Sequence, residues 1–144
     1  MQRSYVTQLR PLRLATAAIL AASIATAGCN RLSPKAEAIA GNYYIPEISE
    51  EEPLLELRRD ATLTLRAIKP GVLTYSIDGT WDVAEGATAD SLVAMLDPAT
   101  LKWNGDSSLI GDIPRRYAKR ITEISDLTIT IEKEGVAYVY HRRQ

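Results

Sequence analysis

Beyond residue 53, apolar and polar residues alternate with a period of two along most of the chain, which predicts β-strands rather than helices. Leu55 and Leu57 alternate with Glu56 and Arg58, and Leu63, Leu65 and Ala67 alternate with Thr64 and Arg66. Turning both apolar sides to one face selects a three-residue loop over residues 60–62, pairing Leu57 with Leu65 and Leu55 with Ala67. The same test decides the Asp78-Gly79 pair, a common two-residue hairpin turn. A turn there would send Trp81 and Val83 to the face opposite Leu73, Tyr75 and Ile77. One continuous strand keeps all five on one side, with Gly79 as a kink or a point of close approach. Near the carboxyl end, Leu127, Ile129 and Ile131 alternate with threonines, and Val136, Tyr138 and Tyr140 with Ala137 and Val139. A four-residue loop over 132–135 pairs Ile131 with Val136, Ile129 with Tyr138 and Leu127 with Tyr140.

Between these hairpins, residues 84–89 read as a turn into a strand over 91–96, and Pro98 opens a separate segment toward Trp103. Residues 104–120 are polar and irregular, with a helical turn around 115–120, and form the rim expected to carry any site. Before the strands, Ser33-Pro34 followed by KAEAIA and Gly41 carries a helix N-cap, a proline at the first helical position and a glycine stop, enough for one or two turns.

The amino-terminal segment differs from all of this. Arg3, Arg10 and Arg13 precede an uncharged, apolar run over residues 14–27. That is the order of a secretory signal, and 14 residues are too few to cross a bilayer that needs about 20. The run ends in Ala27-Gly28-Cys29-Asn30, which resembles the lipobox of bacterial lipoproteins, where the cysteine is diacylated and becomes the first residue after cleavage. The resemblance implies lipidation at Cys29, and Asn30 in place of Asp favours the outer membrane, facing the periplasm. Ordinary cleavage after Ala27 or Gly28 is the alternative; it would leave the chain's single thiol free in an oxidising compartment. Arg10 and Arg13 are not adjacent, so the general secretory route is implied. Two acyl chains suffice for stable anchoring without a spanning segment. The expected organisation is a signal over 1–28, a lipidated cysteine and tether over 29–37, and a β domain over 38–144.

Composition narrows the function classes. The chain has 144 residues, room for one modest domain. Its 17 basic and 18 acidic residues give no cationic field of the kind nucleic acid requires. Loss of residues 1–28 removes three arginines and no acid, leaving 14 basic against 18 acidic residues, a formal charge of −4. One Cys and one His provide neither an internal disulfide nor a cysteine or histidine zinc site.

Three short motifs add a resemblance. Ala38-Ile39-Ala40-Gly41-Asn42-Tyr43-Tyr44-Ile45 looks like the short helix and opening strand of lipocalin-like domains, with Gly-x-Tyr for Gly-x-Trp. Asp78-Gly79-Thr80-Trp81-Asp82-Val83 resembles the internal Gly-Thr-Trp strand of small bacterial lipocalin-like lipoproteins, and Tyr138-Val139-Tyr140-His141-Arg142 resembles their closing strand. The resemblance implies an all-β fold, an antiparallel meander of about eight strands in a closed or partly closed barrel preceded by a short helical turn. It implies no single function, because such barrels carry apolar ligands or serve as envelope sensors. The Cys-x-x-Cys pair of related envelope-stress lipoproteins has no counterpart here, so copper or redox sensing is not implied.

Each candidate site has a plainer reading beside it. Tyr43, Tyr75 and Trp81 are candidates for a pocket lining or for core, and a chain without Phe needs them first as core volume. Arg115, Arg116, Lys119 and Arg120 are the candidate contact for a partner or for lipid headgroups, against a solvated run paired with the domain's own carboxylates. His141 reads as an exposed strand end. Glu47, Glu50, Glu51 and Glu52 lack the ligand spacing and glycine of a calcium loop. Asp106, Ser107 and Ser108 lack a nucleophile elbow. No catalytic set, cofactor motif or metal site is assigned. The expectation is a lipid-anchored, non-catalytic envelope module that displays an interaction surface and contacts the membrane through Cys29; the alternative is a barrel binding a small apolar ligand or lipid.

Overall fold

A computed structural model describes residues 32–143, so the signal-like segment and Cys29 lie outside the described residues. Helix α1 (Pro34–Ile39) is followed by eight strands: β1 (Gly41–Tyr44), β2 (Leu55–Leu57), β3 (Thr62–Lys69), β4 (Leu73–Ala84), β5 (Asp90–Gly105), β6 (Arg116–Ile124), β7 (Thr128–Lys133) and β8 (Val136–Arg143). Each strand pairs antiparallel with the next, and β8 returns to β1, giving a closed barrel of up-and-down order. Most inward positions are apolar, Lys119 and Lys133 excepted. Leu55, Leu65 and Ile77 stand opposite one another across β2, β3 and β4, while Glu56, Thr64 and Asp78 face out.

The helix forms as its caps predict. Ser33 Oγ accepts from the Ala36 N–H, Pro34 opens the helix and Ala40 closes it. Its buried face, Ala36 and Ile39, shares a core with Leu57, Leu63, Trp81 and Leu92, so α1 plugs the end where β1 begins. Asp82 on β4 accepts from both the backbone N–H (3.1 Å) and the hydroxyl (2.8 Å) of Ser33, fastening the entry of the chain to the barrel. The packed unit therefore begins at Leu32, which is itself buried, and takes in residues 32–37 that the sequence assigns to the tether. Ring closure lies within 41–143 and the core residues between Leu32 and Tyr140, so this unit contains what it needs to fold.

β4 is continuous, as the apolar side predicts. Leu73, Ile77, Trp81 and Val83 are buried along one face. Gly79 is a close-approach point: a Cβ there would lie 2.0 Å from the Met95 carbonyl oxygen of β5. Four other expectations are corrected. The β2–β3 loop has three residues but spans 59–61, so Leu57 pairs with Leu63 and Leu55 with Leu65. The cause is local: Asp60 Oδ1 accepts from the Thr62 backbone N–H at 3.0 Å, Ala61 takes φ 73°, and the Arg58 N–H closes on the Thr62 carbonyl. The β7–β8 loop has two residues, Glu134 and Gly135, with φ 48° and 80°, a left-handed pair matching the twist of a tight hairpin. Lys133 thereby joins the strand opposite Val136, Ile131 pairs with Tyr138, Ile129 with Tyr140, and Leu127 is exposed.

Pro98 does not divide β5, because it sits in a bulge between the Asp78–Asp97 and Ser76–Lys102 pairings. There Thr100 Oγ1 accepts from the Asp78 N–H at 2.8 Å, in place of a ladder bond. Finally, only 106–115 of the supposed irregular segment is loop, with a 3₁₀ turn at Ser107–Leu109, and the expected helical turn around 115–120 is the start of strand β6.

Candidate site in the mouth of the barrel

The end opposite α1 is open. Four connections gather there: 45–54, 70–72, 106–115 and 134–135. β1 and β2 are short, so beyond Tyr44 and Leu55 the wall between β3 and β8 is low and is covered by the 45–54 connection. A cavity of about 420 Å³ enters the barrel at this end, and an adjoining lobe of about 300 Å³ lies under the low wall. The two share Leu54, Arg66, Ala67, Tyr75, Lys133 and Tyr140; the larger is floored by Leu55, Leu65, Ile77 and Leu96. Volumes of this size suit one small ligand.

The polar groups of the cavity are unevenly placed. On the β3 side, Arg66 is neutralised by Glu56 Oε2 at 2.9 Å and also donates to the Pro53 carbonyl. On the β6–β8 side, Lys133 Nζ donates to Tyr140 Oη at 2.7 Å and stands 5.4 Å from the ring centroids of both Tyr138 and Tyr140. Lys119 Nζ lies 5.7 Å from the Tyr117 centroid. Burial pushes the Tyr140 hydroxyl up to about 12, with Tyr138 adding to the shift, and burial also raises Tyr117 against the pull of Lys133. Both tyrosines are neutral hydroxyls at ordinary pH. An apolar trough with cationic and hydroxyl donors along one wall can hold a ligand by burial and orient it by hydrogen bonds.

The residues singled out in the sequence scatter. Tyr75 lines the cavity. Tyr43 and Trp81 are core instead: Tyr43 Oη donates to the Ile39 carbonyl at 2.7 Å and Trp81 Nε1 to the Arg58 carbonyl at 2.9 Å. The basic run is divided by strand alternation. Lys119 points into the barrel, Arg116 and Arg120 point out, Arg120 meets Glu132 at 3.7 Å, and Arg115 is exposed before the strand.

His141 is exposed on the outer face of β8 toward the plugged end, while Ser107 and Ser108 are at the mouth, so they form no catalytic set. Asp106 accepts from the Ser108 N–H and hydroxyl, which holds its carboxyl below the usual range and makes it a turn cap. Glu47, Glu50, Glu51 and Glu52 are exposed in the 45–54 connection, and among the described residues no three His, Cys, Asp or Glu side chains converge as a metal site. No family model, curated protein or solved structure matches the chain.

The sequence reading missed Lys133, and with it the pairing of Lys133 with Tyr140, because a four-residue loop took that lysine out of the strand. The Glu134-Gly135 dipeptide was the available signal: glycine second in a two-residue turn sets Lys133 at an inward position. Likewise Tyr117, Lys119 and Ile121 alternate as a strand face does.

Proposed function

We propose that this chain is a lipid-anchored, non-catalytic, periplasm-facing envelope protein, a lipocalin-like barrel whose mouth takes a small apolar ligand. One observation carries the ligand reading: a cavity of about 420 Å³, floored by Leu55, Leu65, Ile77 and Leu96, opens at the end opposite α1. The expected interaction module has less support than its alternative, because the basic run it would display is divided between the inside and outside of β6. The lipocalin-like reading is supported by the meeting of two of its motifs: Tyr43 of Gly41-Asn42-Tyr43 pairs with Arg142 of the closing strand, whose guanidinium lies 6.0 Å from the Tyr43 ring centroid. Lipidation rests on the resemblance around Cys29 alone. The described chain enters the barrel at its plugged end, so an acyl group three residues before Leu32 tethers that end and leaves the mouth free in the periplasm.

Native mass spectrometry of residues 29–144, purified from envelope extracts, tests the ligand reading. A co-purifying small apolar molecule in stoichiometric amount is the expected result. An empty barrel that also takes up no added apolar ligand refutes it, and cross-links from Arg115 or Arg116 to another envelope protein would then favour the interaction module.

A further inference from the structure

Apart from its rim, the cavity carries charge on two sides: Arg66 on the β3 side, already paired with Glu56, and two further cations on the β6–β7 side. β6 and β7 are registered with Arg120 opposite Glu132 on the outer face. One step toward the mouth, the same register sets Lys119 beside Lys133 on the inner face, and both line the cavity. Like charges at facing positions of adjacent strands repel. Neither lysine forms an ion pair among the described residues; the pairs found there use Lys35, Arg58, Arg66 and Arg120. The carboxylates on the lining, Asp112 and Glu134, are exposed at the rim.

Lysines at a rim commonly extend their heads into water. Lys133 does not: its ammonium is drawn down to Tyr140, a side chain only 4% exposed. Tyr140 Oη accepts from Lys133, which leaves the phenolic proton to donate elsewhere. The site thus offers positive charge and a hydroxyl donor next to apolar side chains, and among the described residues no carboxylate forms an ion pair with either lysine.

We propose that the ligand of the mouth is a single-chain amphiphile with an anionic head, held by Lys133 with Lys119 beside it, its chain lying along Leu65, Ile77 and Leu96. This rests on the ligand reading above and adds the charge of the head. The anion relieves the repulsion between the two lysines, so it gains more than a surface ion pair does.

Calorimetric titration of residues 29–144 with three probes of equal chain length tests it: laurate, dodecanol and dodecyltrimethylammonium. Laurate is expected to bind at least about tenfold more tightly than dodecanol, the scale of one charge-assisted hydrogen bond, with the cation weakest. Lys133→Met should bring laurate down to the dodecanol level of the same variant, and a far-ultraviolet circular dichroism spectrum matching that of the wild type shows that the variant is folded. Lys119→Met should cause a smaller loss in the same direction. Equal affinity of the wild-type protein for laurate and dodecanol overturns the anionic head and leaves the ligand reading intact. Failure of all three probes to bind overturns both. The wild-type comparison decides the matter even if Lys133→Met does not fold.

Discussion

Replacing Trp81 with Ala removes the largest side chain of the plugged end. Trp81 is 3% exposed, sits on β4 among Leu57, Leu63 and Leu92, and donates its indole N–H to the Arg58 carbonyl at 2.9 Å. A side chain of this kind buries about 150–250 Å², which at about 25 cal/mol per Å² is about 4–6 kcal/mol as an upper bound. Ala retains part of that area, and the lost hydrogen bond adds about 1 kcal/mol. The expected loss is about 3–5 kcal/mol, in line with large-to-small changes in other cores. A domain of this size is stable by about 5–15 kcal/mol, so the variant is severely weakened. Urea unfolding of residues 29–144 followed by far-ultraviolet circular dichroism measures the change as a shift of midpoint at unchanged slope. Trp81→Phe separates the two contributions, because it keeps most of the apolar volume and loses the hydrogen bond, at about 1–2 kcal/mol. A loss below about 1 kcal/mol for Trp81→Ala would refute the assignment of Trp81 to the core.

Other perturbations probe other parts of the argument. Cys29→Ala is expected to abolish metabolic palmitate labelling and release the protein from the membrane fraction; unchanged labelling contradicts the lipid anchor. Gly79→Ala places a methyl 2.0 Å from the Met95 carbonyl oxygen, so β4 and β5 must separate, and a loss of at least about 1–3 kcal/mol in the same urea assay is expected. A neutral effect would mean that the two strands do not approach so closely. Tyr140, pushed up to about 12 by burial, keeps its proton in the folded state after it is lost in the unfolded chain near pH 10. The folded state then binds more protons than the unfolded one, so stability is full below pH 10 and falls between about pH 10 and pH 12. Tyr140→Phe should flatten part of that fall, and identical wild-type and variant profiles would count against a buried phenol.

Alternation alone determined which residues of most strands face inward, because a pleated strand with one buried face leaves little freedom in the choice of side. Leu55, Leu63, Leu65, Ile77, Trp81 and Ile129 follow from it, as do the continuity of β4 and the caps of α1. The all-β class was legible for the same reason, and the count of about eight strands came from the resemblance carried by the short motifs at 38–45, 78–83 and 138–142, while β6 and the unbroken course of β5 were not legible. Alternation does not determine register, since a slip of two residues preserves every face. Register was decided by turn geometry: the Asp60 side chain and the left-handed Ala61 in one hairpin, the left-handed Glu134-Gly135 pair in the other. Nor could sequence alone reveal that Pro98 lies in a bulge, because the partner groups that make a bulge tolerable, such as the Asp78 N–H bonded to Thr100, come from another strand. The candidate site depended on both. Only when β7 is extended through Lys133 and β6 begins at Arg116 do Lys119, Lys133, Tyr117 and Tyr140 share the inner wall. Whether the barrel is hollow is a tertiary property as well: it depends on where α1 and the core side chains stop filling the interior, a sum over strands that no single segment contains.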